Sequence, residues 1–147
     1  MTRRNWLLLF IALDGEAHVL DPLRIQKGLF LLAREGGLPR RERYWFVPYN
    51  YGPMSPRLYR DVEALVREGL LEHRVVDGRR WRPVRATPAG RERAQQLVEH
   101  ASPCEHAAIE RLRGIRRFVR GVDLGRLLAV IYERYPAFAE RSVFRRT

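Results

Sequence analysis

Apolar side chains recur along this chain mainly at helical spacing, and proline, glycine or a capping residue marks most of the breaks. Residues 3–13 are short and mostly apolar and end near Asp14-Gly15. Asp21-Pro22 supplies a cap and a first-turn proline. Ile25, Leu29 and Leu32 then mark one face of a helix, widened by Leu23, Phe30 and Ala33, which stops at Gly36-Gly37. Tyr44-Trp45-Phe46-Val47 is aromatic and β-branched and predicts a short strand closed by Pro48. From Pro56 to about Glu68 the pattern is helical again, with Leu58, Tyr59, Val62, Leu65 and Val66 facing inward and Gly69 at the left-handed position beyond the end.

Two strand-like runs follow, 70–76 and 79–84, joined by Asp77-Gly78, a pair suited to a tight hairpin turn because both positions need positive φ. Thr87-Pro88 repeats the cap-plus-proline start for a helix to about His100. Pro103 opens another, with Ile109, Leu112, Ile115, Phe118 and Val119 on its apolar side. Asp123 caps a last helix in which Leu124, Leu127, Leu128, Ile131 and Tyr132 pack inward as far as Pro136. Residues 137–147 read as a short turn and a loose end. The fold class is therefore mostly α with a small β-hairpin (α+β). A helix followed directly by a hairpin is the winged-helix arrangement. Residues 1–100 form the winged-helix-like domain, and 101–147 are a helical extension packed on it as one structural unit.

The segment Tyr49-Asn50-Tyr51-Gly52-Pro53-Met54-Ser55-Pro56 orients the helix after it. Two prolines stiffen the loop, the Ser55 side chain is placed to cap, and Pro56 suits the first helical position. Glycine and proline make the turn, while Tyr51 and Tyr59 fill space beneath it. Gln26 and Lys27 are adjacent polar residues inside a strongly apolar helix, and one of them is expected to bond the Gly52-Pro53 loop.

The 147 residues are 46% hydrophobic, enough for one domain with its own core. No apolar run approaches the roughly 20 residues that cross a bilayer. A single cysteine, Cys104, excludes an internal disulfide and fits a reducing, cytoplasmic setting. The net charge is +11, carried almost wholly by arginine, since Lys27 is the only lysine. Residues 111–147 contribute +7 of it and residues 1–110 only +4. Such an excess attracts polyanions, of which nucleic acid is the commonest.

Candidate contacts follow from that charge. Arg57, Arg60 and Arg67 share one helix face with Ala64, placed to meet phosphates or guanine edges in a major groove. Asp61 and Glu68 flank that face and could instead make it a solvated, salted surface. Arg79, Arg80 and Arg82 belong to the hairpin and could touch flanking phosphates. Arg113, Arg116, Arg117 and Arg120, with Arg111, could follow a DNA backbone, lie on an acidic partner, or rim a dimer helix.

His100, Cys104 and His106 lack the spacing and the second ligand cluster of a metal site. No phosphate-cradling loop, nucleophile elbow or zinc motif is present, and Asp61 and Glu63 point to different faces. The expectation is a protein with no catalytic residues, no metal and no cofactor.

The run Leu23-Arg24-Ile25-Gln26-Lys27-Gly28-Leu29-Phe30-Leu31-Leu32 resembles the leucine–glutamine–lysine helix of Panacea (SocA-like) antitoxin-domain proteins. Tyr51-Gly52-Pro53 followed by Tyr59 matches their tyrosine–glycine–proline element, and Leu127 to Ser142 is similar to the C-terminal part of related phage-associated proteins. Gly28 stands where that family usually carries a larger apolar residue. The resemblance implies a helical domain with winged-helix character from antitoxin, phage or defence loci. Two functions are expected from residues and resemblance together. One is a regulator that binds double-stranded DNA as a dimer. The other is an antitoxin or adaptor that grips a protein such as a toxin through Gln26, Lys27, Tyr51, Gly52, Pro53 and Tyr59. Binding of RNA or single strands by Trp45 and Trp81 is a third class.

Overall fold

The computed structural model describes residues 1–15, 18–74 and 82–143. Helix α1 (Arg3–Ala12) starts with a reciprocal cap: Thr2 Oγ1 accepts the Asn5 N–H at 3.1 Å, and Asn5 Oδ1 accepts the Thr2 N–H at 2.9 Å. Every residue from Trp6 to Leu13 is buried. A helix that is apolar on all sides belongs in the middle of a molecule. Here α2 (Pro22–Glu35), α3 (Pro56–Arg67), α4 (Pro88–Glu99) and α5 (Pro103–Gly121) all pack against it.

The crossing of α1 and α2 explains Gly28. A Cβ at that position would lie 2.1 Å from Cζ of the buried Phe10 ring. The larger residue usual in the resembling family would need that ring to move.

Strands β3 (Leu71–His73) and β4 (Val84–Ala86) pair antiparallel, with Leu71 opposite Ala86. Leu20 joins the other edge of β4 through two bonds of 2.9 Å with Val84. Apart from a further hairpin inserted between α2 and α3, the order is helix, bridging residue, helix, helix, strand and strand, with Leu20, β4 and β3 side by side, the order of a winged helix. Gly69 follows α3 at φ 79°, the expected left-handed position.

The interval between α2 and α3 differs from expectation. The strand predicted at 44–47 is displaced: β1 is Val47–Tyr49, and it pairs with β2, Gly52–Met54. Tyr44 and Phe46 are core residues, and Trp45 is 78% exposed. Pro48 does not end the strand but sits within it, opposite Pro53. That pair lies one step from the Tyr49–Gly52 pair beside the turn, at a position where antiparallel strands exchange no N–H bonds, so neither proline lacks a needed donor. Gly52 leaves the turn at φ 81°, and its bare α-carbon lies against Leu128 and Tyr132.

Helix α5 runs along α2, while α6 (Leu124–Arg134) and a 3₁₀ turn, Pro136–Ala139, lie against the hairpin. Phe30 of α2 meets Phe46, Tyr135 and Phe138 edge-on at 4.7–5.4 Å, and Arg34 stacks over the Phe30, Tyr135 and Phe138 rings. A single buried cluster runs from Trp6 to Phe138, so the C-terminal helices share the core of the first hundred residues. The architecture is mostly helical with small β-hairpins.

Candidate functional site

Helix α3 carries the first group of candidate residues. Arg57, Arg60 and Arg67 are exposed, and Ala64 among them is covered. The acidic residues of this helix are engaged elsewhere. Asp61 is buried, accepting from Tyr44 Oη at 2.7 Å and from Arg4 Nε at 3.3 Å. Burial and the bond to Asp61 raise the Tyr44 phenol above its ordinary range. Glu68 pairs with the same Arg4 at 3.3 Å, and Glu63 with His73 at 2.7 Å. The expectation that Asp61 flanks a solvated stripe is therefore corrected. Leu58, Asp61 and Leu65, at i, i+3 and i+7, put this carboxylate on the inward side. Among the described residues, no ion pair holds Arg57, Arg60 or Arg67.

Of the hairpin arginines, Arg82 is exposed and lines a cleft with Glu63 of α3 and His73 of β3, so the base of the wing lies beside α3. Arg79, Arg80 and Trp81 lie outside the described residues, as does the Asp77-Gly78 turn.

The C-terminal arginines divide. Arg116 is not a surface residue: it is 5% exposed, and its guanidinium donates to Phe10 O at 2.8 Å and Ile11 O at 3.4 Å. It satisfies carbonyls at the end of α1, which have no partner within the helix, and its charge suits that negative end. Leu112, Arg116 and Val119 fall at i, i+4 and i+7, a spacing that already placed it on the apolar side. Arg113 bonds Asp14 at 2.9 Å and also pairs with Glu110, holding the Asp14 carboxyl below its ordinary range. Arg111 bonds Gly36 O. Arg117 is exposed and Arg120 half-buried.

The polar pair inside α2 is built into the hairpin. Gln26 is fully buried; its Nε2 donates to Ser55 O at 2.9 Å and its Oε1 accepts the Ser55 N–H at 2.8 Å. Ser55 makes no side-chain cap, contrary to expectation; it is buried, and Gln26 holds both of its backbone groups. Lys27 is 2% exposed and donates to Pro53 O at 3.0 Å. Burial pushes its pKa down to about 7, opposed weakly by the field of Asp21.

Gly52 and Pro53 are buried and, with Gln26, form the inner side of this element. Tyr51 and Tyr59 are half-buried and line a cleft of about 590 Å³ with Lys27, Leu23, Tyr49 and Asn50. Beside it, Trp45, Val47 and Tyr49 present apolar surface to solvent. Trp45 was singled out only as a nucleic-acid contact, and the row as a protein-partner surface was not; the i, i+2, i+4 spacing leading into β1 was the available signal.

Among the described residues no cluster of histidine, cysteine and carboxylate side chains could hold a metal, and no helix is long and apolar enough to cross a membrane. No protein-family model matches the chain, and no curated protein matches it. The resemblance of the leucine–glutamine–lysine helix rests on the motif residues alone.

Proposed function

We propose that this protein is a DNA-binding transcriptional regulator of the kind carried by phage, defence or toxin–antitoxin loci, acting as a dimer in the cytoplasm. In this reading α3 enters the major groove, and Arg82 with its neighbours Arg79 and Arg80 meets flanking phosphates. The observation that carries it is the state of α3. Its acidic side chains are turned onto Arg4, Tyr44 and His73, and Arg57, Arg60 and Arg67 stand exposed with no ion pair among the described residues. Unneutralised arginines on the helix before a wing are what phosphate and base-edge contacts require.

The test is binding of a mixed-sequence duplex across a salt series, for the wild type and for the Arg57→Ala, Arg60→Ala, Arg67→Ala triple variant. Each lost phosphate contact flattens the salt dependence by about 0.9, so the triple variant's slope falls by up to about 2.7. A chain that ignores the duplex at low salt, or a triple variant with the parental slope, overturns the proposal.

A second reading is favoured by one observation: the exposed row Trp45, Val47 and Tyr49 on the hairpin. On that reading the protein is an antitoxin or adaptor, and a protein partner such as a toxin lies across β1. Co-purification of one stoichiometric partner, lost on Trp45→Ala, supports it.

A further inference from the structure

The chain places a cationic group in 28 positions and uses arginine in all but one. The exception, Lys27, is the site where a cation lies almost wholly buried under the hairpin, with no carboxylate bonded to it among the described residues. An arginine there would stay charged, whereas a lysine can shed its proton. The hairpin does not depend on this amine for its anchorage, because Gln26 already holds Ser55 through both backbone groups. An ammonium has three N–H donors, and only the bond to Pro53 O is made among the described residues.

Lys27 also lines the 590 Å³ cleft, a volume in the range of small-molecule sites. The other residues with polar groups that line it are Tyr49, Tyr51, Tyr59 and Asn50, and no carboxylate residue lines it among the described residues. Three of the eight lining residues are tyrosines, and Leu23, Gly52 and Met54 complete the lining. Such a lining offers donors and flat apolar faces, but no negative charge.

We propose that this cleft binds a small aromatic carboxylate, its carboxylate on the Lys27 ammonium and its ring between the tyrosines. The site stands independently of the DNA reading, since it is assayed without nucleic acid.

Binding is coupled to a proton. Burial keeps the empty amine half-neutral near pH 7, and an entering carboxylate favours the ammonium. The groups around Lys27 do not substitute for it. Asp21 acts from the start of the same helix, and Tyr59 from α3 has its phenol raised by burial. The hairpin presents Tyr49 and Tyr51, with Tyr132 of α6 behind Gly52. Helix α1 meets α2 with Phe10, and on the side of α5 the Arg24 guanidinium is tied to the Val119 and Val122 carbonyls. Affinity therefore falls about tenfold per pH unit above 7, until the pKa of the occupied site is reached.

Because the chain has one lysine, lysine labelled with carbon-13 at Cε gives a single resonance that reads this amine directly. In the free protein it titrates near 7. Saturating benzoate moves that midpoint up by about one unit or more, and benzamide, which has the ring without the charge, leaves it in place. The Tyr49→Ala, Tyr51→Ala double variant, its fold checked by circular dichroism, removes the rings that flank the ligand and loses benzoate affinity several-fold. A midpoint unmoved by benzoate, an equal shift with benzamide, or unchanged affinity in the double variant overturns the proposal. Duplex binding measured on the same samples is unaffected by any of these failures.

Discussion

Gly28 has little freedom. Its α-carbon lies where α1 and α2 touch, and any Cβ meets the Phe10 ring. Gly28→Ala is expected to lower stability by about 1–3 kcal/mol, as overpacking of a tight core does, measured by urea unfolding. Lys27 carries a different signature. Its folded pKa, about 7, lies below the value of about 10.5 expected for an exposed lysine, so between those limits the unfolded chain binds more protons than the folded one. Stability from this group is lowest below pH 7 and rises as pH climbs from 7 towards 10.5. The difference in unfolding free energy between wild type and Lys27→Met should follow that window, with the wild type gaining by a few kcal/mol at its upper end. A difference independent of pH would remove Lys27 from the set of titrating groups. The oddity of Gln26 and Lys27 was plain in the sequence, as was their bonding to the Gly52-Pro53 loop. What spacing could not reveal was that both engage it, since their partners lie 26 and 29 residues away.

Among the elements, those with local signals were legible. Asp21, Thr87, Ser102 and Asp123 each accept an N–H at the start of a helix, and proline follows directly in three of the four. Ser55 carries the same letters and does not cap; it is buried, with its backbone held by a distant glutamine. The 44–47 segment misled for a related reason. Aromatic residues favour strands, yet Tyr44 and Phe46 are wanted by the core, and the turn at Asn50-Tyr51 sets the register three residues later. Helix α5 gives the sharpest contrast between neighbours. Arg116→Met should cost about 1–3 kcal/mol, because it strands the Phe10 and Ile11 carbonyls, and should leave the salt dependence of DNA binding alone. Arg117→Ala, on the exposed side, should leave stability within about 0.5 kcal/mol of wild type. Thermal melts with duplex titrations on both variants separate the two roles.

For the whole molecule, the division at residue 100 marks a change of composition and not a seam. The winged-helix order was readable because each unit has local punctuation. That the extension packs on the first hundred residues was also readable, from its apolar positions; that Arg116 would belong to the buried side was not, because its charge suggested a surface. Ile109, Leu112, Val119, Leu127, Leu128 and Ile131 are fully buried in the cluster that contains α1. A chain ending at residue 100 should therefore lack cooperative thermal unfolding by circular dichroism, and a sharp transition in it would show that the first hundred residues fold alone.

The bond from Arg116 to Phe10 spans 106 positions. During synthesis, then, α1 is made before α2, α3, α4 and α5, the helices that cover it. It waits, apolar on all sides, until the fifth has been made. Such a nascent chain offers a binding surface to holding chaperones for most of its translation, and closes late and together rather than piece by piece.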